Sequence, residues 1–516
     1  MMKKVLTAFA AGTITLSVMF CSSVYGQPET FVKIPDFEGP IPVTETSHPF
    51  TVGGTDLAAN GYVLEEYYVS GTSNVYDWGE DGSAEKPQVR TADAPYTTRI
   101  VVRRPQDTGS FSGNVWVELN NPSRGWDVEV QWPVVQEEVM SSRDIWVAMT
   151  AKPNVIAALR RVDEERYGKL SMDNPLPPEE QTAGLLPGEE GYDENLSKLY
   201  ENGLVWDMFS QVGALMRDKN GPLAGYDVKY VFGTGESQTG FYLNTYAANF
   251  AEDAMVEEGK TVYDGFISAS GAGKVIAINQ ALEPLEPDDP RSRLPQKHVP
   301  FMRIDSQGDI FRLGSYEWRR EDCDDKDAGY RIYEIAGAPH GPSYIMGYQP
   351  LEADILKTGN LPSQVPYQYG GMEEKANHFY RQYMEKAMYY NFKEWVINGT
   401  LPPKAEPIEV TEDGTAFVYD EHGNVKGGVR SPALDVPTAT YHELATEMEG
   451  QPYAWSFGSQ EDFSTSKLQE LYGVIEPQQT YVKMVEESAD KLTEEGFLLP
   501  EDAAAISVQA QYTPIP

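Results

Sequence analysis

Three side chains of this sequence have the types, the order and the local settings that nucleophilic catalysis requires: Ser237, Asp309 and His340. A serine hydroxyl is barely ionised at neutral pH, so a histidine must take its proton, and a carboxylate must fix the imidazole tautomer and stabilise the imidazolium. Ser237 lies in Val231-Phe-Gly-Thr-Gly-Glu-Ser-Gln-Thr-Gly-Phe-Tyr242, where a β-branched and aromatic run meets two glycines, a serine and then an apolar-periodic segment. That succession predicts strand, sharp turn and helix, which thrusts the hydroxyl out of the backbone and aims the Gln238 amide at the group it attacks. The pattern Gly235-x-Ser237-x-Thr239 has threonine where the common elbow has glycine. So loose a match arises by chance in about one of every few chains of this length, and the surrounding elements must carry the reading.

Those elements follow a consistent order. After a Pro-, Gly- and Thr-rich strap over residues 27–60, Tyr62 to Ser70 and Tyr96 to Arg104 read as two strands separated by a loop. Asn114 to Leu119 is a buried-type strand, Val128 to Met140 is amphipathic, and Asp144 to Thr150 is the next strand, which implies a right-handed βαβ crossover in a parallel sheet. The loop leaving Leu119 then sits at the carboxyl edge of the sheet, where such folds keep their sites. Asn121, in that loop, is the expected second amide donor to an oxyanion, beside Gln238. Leu204 to Arg217 reads as the helix before the elbow strand, and Tyr263 to Ser268, Val299 to Ile304 and Tyr330 to Ile335 read as later strands. Glycine-containing turns place Asp309 and His340 just past the ends of the last two, so nucleophile, acid and base converge on one sheet edge.

The core is expected over residues 61–403, with lid-like insertions at 153–192 and 271–298 and a long helix over Phe379 to Ile397. A C-terminal extension, residues 404–516, is expected to pack on it, helical over 464–511.

The 516 residues carry 41 basic and 79 acidic side chains, a formal charge of −38 at pH 7. That balance argues against nucleic acid or an anionic membrane surface as a partner and fits solubility in a salty or extracellular medium, with a requirement for cationic substrates as the alternative. Met1 to Gly26 has Lys3 and Lys4 before the apolar run Val5 to Phe20 and ends in small residues, the pattern of a cleaved export signal. The run is too short to span a bilayer, and bulky Phe20 before Cys21 disfavours lipoprotein processing. Cleavage before Gln27 leaves Cys323 without a disulfide partner, in an acidic run, Glu321 to Asp327, that reads as an exposed, solvated turn. His48, His298, His378, His422 and His442 are scattered without metal-ligand spacing, and neither a metal nor an organic cofactor is expected.

Further motifs surround the three residues: Val117-Glu-Leu-Asn-Asn-Pro122 with Gly125-Trp-Asp127, Gly203-Leu-Val-Trp-Asp207, and Glu334-Ile-Ala-Gly-Ala338 before His340. Gly399-Thr-Leu-Pro-Pro403 and Gly423-Asn424 with Gly427-Gly-Val-Arg430 extend them toward the end of the chain. With these the sequence resembles the α/β-hydrolase superfamily, and within it the bacterial alpha/beta hydrolase domain family of long, often exported proteins. The resemblance implies an α/β-hydrolase fold, a mostly parallel central sheet flanked by helices, and a serine hydrolase with an esterase-like triad in which Ser237 and His340 are matched directly. Similar proteins often have Glu two residues before the aspartate, where this chain has Gln307. Asp309 is therefore the expected acid, ahead of Asp305 and then Asp264. Glu236 reads as a solvated or supporting carboxylate. The expected substrate is a small-molecule carboxylic ester cleaved through an acyl-enzyme on Ser237. An amidase or peptidase, a cofactorless lyase and a non-catalytic binding protein are the alternatives on the same scaffold.

Overall fold

The computed structural model describes residues 31–182, 198–294, 299–325, 328–359, 376–445 and 454–516. The export segment expected at 1–26 lies outside them, as do 183–192 and 295–298 of the two expected insertions. Among the described residues, no helix is long and apolar enough to cross a membrane.

The sheet strands are β1 (Asp36–Glu38), β2 (Tyr62–Asp77), β3 (Gln88–Pro105), β4 (Asn114–Leu119), β5 (Ile145–Met149) and β6 (Tyr230–Glu236). After a separate hairpin, β7 (Met255–Glu257) and β8 (Lys260–Thr261), come β9 (Gly265–Ala269), β10 (Phe301–Ser306) and β11 (Tyr330–Ile335). They form one nine-stranded sheet, in the order β1-β2-β3-β5-β4-β6-β9-β10-β11. β1, β2, β3 and β5 pair antiparallel, whereas every pairing from β5 onward is parallel. All residues of β4 and β5 are buried, as central parallel strands covered on both faces must be.

Alternation along β6 shows which helices cover which face. Phe232 packs on Phe392, with centroids 5.8 Å apart, and Thr234 Oγ1 lies 2.7 Å from Tyr389 Oη, both on the helix Arg381–Asn398. On the opposite face, a Cβ added to Gly233 would stand 3.0 Å from the Phe209 ring of the helix Val205–Arg217. The helix Gln131–Ser141 shares the first face through the ion pair of Glu138 with Lys393, at 2.6 Å. The helix Gln238–Asn249 shares the second, with Tyr246 edge-on to Phe209 at 4.9 Å.

The expected loop between the first two strands is largely strand. β2 and β3 form a long ribbon whose register slips between Ser73 and Val75. Its Ser, Thr and Asn residues mask the alternation in the sequence, while Val75, Ala94 and Tyr96 are buried and Tyr96 Oη donates to Gln211 Oε1 at 2.7 Å. The acidic run near Cys323 also departs from a solvated turn. Asp322 and Asp324 pair with buried Arg331, and Cys323 is half-buried, bridging to Tyr330. The extension carries the helices Thr465–Tyr472, Pro477–Glu494 and Pro500–Tyr512, and Asp502 pairs with Lys386 to dock the last onto Arg381–Asn398.

Candidate active site

Ser237 connects β6 to the helix Gln238–Asn249 with φ +55° and ψ −119°. Such a backbone costs a non-glycine residue on the order of 1–3 kcal/mol and persists only where its surroundings dictate it. Here they do. A Cβ on Gly235 would stand 2.7 Å from Thr239 O, and one on Gly240 would stand 2.7 Å from Gly271 Cα, so both glycines permit backbone approaches that no side chain allows. Thr239, fully buried, donates from Oγ1 to Glu236 O at 3.0 Å and accepts from Glu236 N at 3.2 Å. The residue that departs from the common elbow thus stitches the turn from within.

His340, in the turn after β11, places Nε2 3.0 Å from Ser237 Oγ and Nδ1 2.6 Å from Asp309 Oδ1. Asp309 is held by a capping box at the start of the short helix Gln307–Arg312: its Oδ2 accepts from Ser306 N at 2.6 Å and from Ser306 Oγ at 2.9 Å. The box leaves Oδ1 for the imidazole. Burial pushes Asp309 toward its neutral form, but the charge of His340, the hydrogen bond to it and Arg381 outweigh burial and hold the carboxyl below its usual range. Burial likewise disfavours the imidazolium, yet Asp309 outweighs it and raises the His340 pKa above the ordinary value. Arg381, paired with Glu385, donates Nη1 to His340 O at 2.6 Å and fixes the turn that carries the ring.

The other two candidate acids are committed elsewhere. Asp305 pairs with Arg303 at 2.6 Å and accepts from Ser315 Oγ at 2.7 Å, and Asp264, at the opposite end of the sheet, pairs with Arg217 and accepts from Val231 N at 2.7 Å. Gln307 ties the site together instead, accepting from Gly337 N at 2.9 Å and donating to Glu443 at 2.9 Å.

Gln238 opens the helix, so its N–H has no carbonyl four residues back and remains available beside Ser237. Asn121 does not meet the expectation of a second free amide. Its N–H donates to Val128 O at 2.8 Å, while its side chain donates to Glu236 O at 2.9 Å and accepts from Ser123 N at 2.8 Å. Asn121 is thereby a brace between the loop and the elbow. The far end of that loop is anchored by Glu118, whose carboxylate accepts from the Val130 and Gln131 amides, each at 2.8 Å, at the start of the helix Gln131–Ser141.

Glu236 is not solvated. It is 4% exposed, and burial pushes its carboxyl up to about 7, with His340 and Arg381 pulling in the other direction. It shares with Ser237, Gln238 and His340 a cavity of about 240 Å³ walled by Val128, Val130, Phe241, Leu313, Ile345 and Phe457, with Arg124 also in the lining. Among the described residues, none of 153–182 or 271–294 lines this cavity, and Trp455, Ser456 and Phe457 of the C-terminal extension do. Glu236 takes the supporting one of its two expected roles, whereas Trp455, Arg124 and Arg381 are not among the expected site residues, and no local motif distinguishes them. Among the described residues, no group of three or more His, Cys, Asp or Glu side chains is placed to hold a metal ion.

A strained serine, an imidazole within hydrogen-bond reach and a buried carboxylate behind it can move a proton off the hydroxyl and return it to a leaving group. Residues 37–508 match the family described as "Alpha/beta hydrolase domain", and the chain belongs to that family, with the α/β-hydrolase fold. No match is found among curated protein sequences. Among solved structures, the chain is similar to a dienelactone hydrolase from Anabaena variabilis (13% identity, 57% of this chain and 96% of that one, TM-score 0.27). It is also similar to a siderophore hydrolase from Aspergillus nidulans (11%, 58% and 93%, TM-score 0.28). A third is acetyl xylan esterase 1 from a Thermoanaerobacterium species (9%, 58% and 81%, TM-score 0.27).

Proposed function

We propose that this protein is a serine hydrolase that cleaves carboxylic esters of small molecules through an acyl-enzyme on Ser237. The reading is carried by the continuous hydrogen-bonded line from Asp309 through His340 to Ser237. As Oγ attacks the ester carbonyl, His340 Nε2 takes its proton and Asp309 stabilises the imidazolium at Nδ1. The developing oxyanion meets the Gln238 N–H, a donor that needs no reorientation during the reaction. Collapse expels the alcohol, which collects the proton from Nε2 and leaves the acyl group on Oγ. Water then attacks the acyl carbon and gives a proton to Nε2; as the bond to Oγ breaks, Nε2 returns that proton to Ser237 Oγ and the acid leaves. The apolar wall formed by Val128, Val130 and Phe241 suits an acyl chain. The protein is exported, and loss of residues 1–26 leaves a mature chain that begins at Gln27.

A fluorophosphonate probe tests the nucleophile. Wild type is expected to label and Ser237→Ala is not; a wild type that stays unlabelled, or a variant that labels equally, overturns the serine-hydrolase reading. Turnover of short- and long-chain aryl esters against matched anilides then separates esterase from amidase.

A further inference from the structure

Seven arginines of the described residues are buried, and six of them sit against a carboxylate. Arg99 pairs with Glu66 and Asp127, Arg103 with Glu129, Arg166 with Glu66, Arg303 with Asp305, Arg331 with Asp322, and Arg381 with Glu385. Taking a guanidinium out of water is costly unless an anion meets it, so this pairing is what electrostatics demands. Arg124 is the exception. It is 9% exposed and has no carboxylate within ion-pair distance among the described residues. Among the described residues its one side-chain hydrogen bond runs from Nη1 to the neutral Gln349 Oε1, at 3.3 Å. Gln349 is in turn fixed by donating Nε2 to Ile345 O at 2.9 Å, so the contact orients the guanidinium without neutralising it.

The position of this cation is what gives it meaning. Arg124 lies in the loop after β4 and lines the same cavity as Ser237 and His340, among apolar walls where its charge is poorly screened. Glu236, the one carboxylate lining the cavity among the described residues, answers chiefly to His340 and Arg381. A guanidinium fork matches a carboxylate in two parallel hydrogen bonds. A dianionic phosphate suits the place less, since it would bring two charges to one cation beside Glu236 in a chain of net charge −38.

We infer that Arg124 is the specificity-determining cation of this site, and that the substrate is an ester whose acyl or alcohol portion carries a carboxylate, the anion that no described residue supplies to it. This rests on the serine-esterase reading for the bond that is cleaved, but not for the binding of the anion. The ester carbonyl reaches Ser237, the aliphatic segment lies along the apolar wall, and the carboxylate ends on Arg124.

The test uses two matched pairs: monoethyl adipate against diethyl adipate, and acetoxybutyrate against its methyl ester. Wild type is expected to favour the anionic member of at least one pair in kcat/KM by about tenfold or more, the size of a charge-assisted two-point contact. Arg124→Gln is expected to collapse that ratio and Arg124→Lys to restore part of it, with fluorophosphonate labelling reporting that the site is still assembled. Calorimetric binding of monoethyl and diethyl adipate, and of the acetoxybutyrate pair, to Ser237→Ala reads the same preference without turnover. Anionic preference in neither pair, or a ratio unmoved by Arg124→Gln in a variant that still labels, overturns the inference. Arg124-dependent binding of the anion to Ser237→Ala, with no ester cleaved by wild type, would uphold Arg124 as the carboxylate-binding cation and sink the esterase reading instead.

Discussion

The indole of Trp455 lies nearly parallel to the imidazole of His340, with centroids 5.3 Å apart and planes inclined by 23°. A residue of the C-terminal extension therefore covers the base of the proposed triad, and the Arg312 guanidinium in turn stands 4.9 Å from the indole. Removing the indole lets water reach His340 and favours the imidazolium, so Trp455→Ala is expected to raise the His340 pKa further. Because the base works only when neutral, the acid limb of the kcat/KM profile should move to higher pH. Loss of the stacked contact, worth about 1 kcal/mol, should lower kcat on the plateau roughly fivefold. A pH–rate profile with an aryl ester checks both, and an unmoved acid limb would separate Trp455 from the base.

Asp309 and Asp305 predict opposite phenotypes. Asp309→Asn leaves Nδ1 facing an amide and allows the wrong tautomer, so kcat is expected to fall about ten-thousandfold with little loss of stability. Asp305→Asn strands the fully buried Arg303, which should cost about 3–5 kcal/mol while activity below the melting temperature stays near wild type. Turnover measured beside thermal unfolding distinguishes the two, and a catalytic collapse in Asp305→Asn alone would reassign the acid.

Much of this arrangement is legible in the sequence because its logic is local. Ser237, Asp309 and His340 each follow a strand by a few residues, and a parallel sheet delivers all such positions to one edge whatever the rest of the chain does. The braces and walls are not local. Trp455 meets His340 across more than a hundred residues, and nothing in its own neighbourhood marks it. Glu236 reads as solvated or supporting because a carboxylate beside a turn can be either; the charges that act on it, His340 and Arg381, come from a later turn and a distant helix. Asn121 is correctly placed in the loop above the elbow, but its N–H is claimed by Val128, a pairing set by how the loop folds back on itself.

Glu236 makes the pH dependence informative. Its carboxyl sits at about 7 in the folded protein against an ordinary 4.5. Between those values the folded state keeps a proton that the unfolded chain releases. Stability should therefore fall as pH rises from about 4.5 through 7, by on the order of 3 kcal/mol in total, and level off above. Glu236→Gln removes that fall, so it is expected to melt higher than wild type at pH 8 and to converge with it near pH 5. The ionised carboxylate also raises the His340 pKa, so Glu236→Gln should shift the acid limb to lower pH, opposite to Trp455→Ala. Equal shifts of one sign in both variants would contradict this account.

Thr239 tests whether the elbow is held from inside. Valine keeps the volume and the branch at Cβ but removes the hydroxyl, leaving the Glu236 N–H and carbonyl without that partner in a fully buried turn. The expected cost is about 1–3 kcal/mol. Ser237, at φ +55°, relies on this stitch to stay in a conformation it would otherwise leave. Thr239→Val should therefore lower kcat by about tenfold with little change in KM, since a serine that wanders from His340 still binds substrate but attacks less often. Thr239→Ser keeps the oxygen and should retain most of the activity. Thr239→Gly, although it recreates the common elbow sequence, loses both hydrogen bonds and adds backbone freedom worth about 1 kcal/mol in a helix, so it should be the least stable of the three. Unfolding and turnover measured across the series check the ranking. A valine variant as stable and active as wild type would show that Gly235 and Gly240 hold the turn without the threonine.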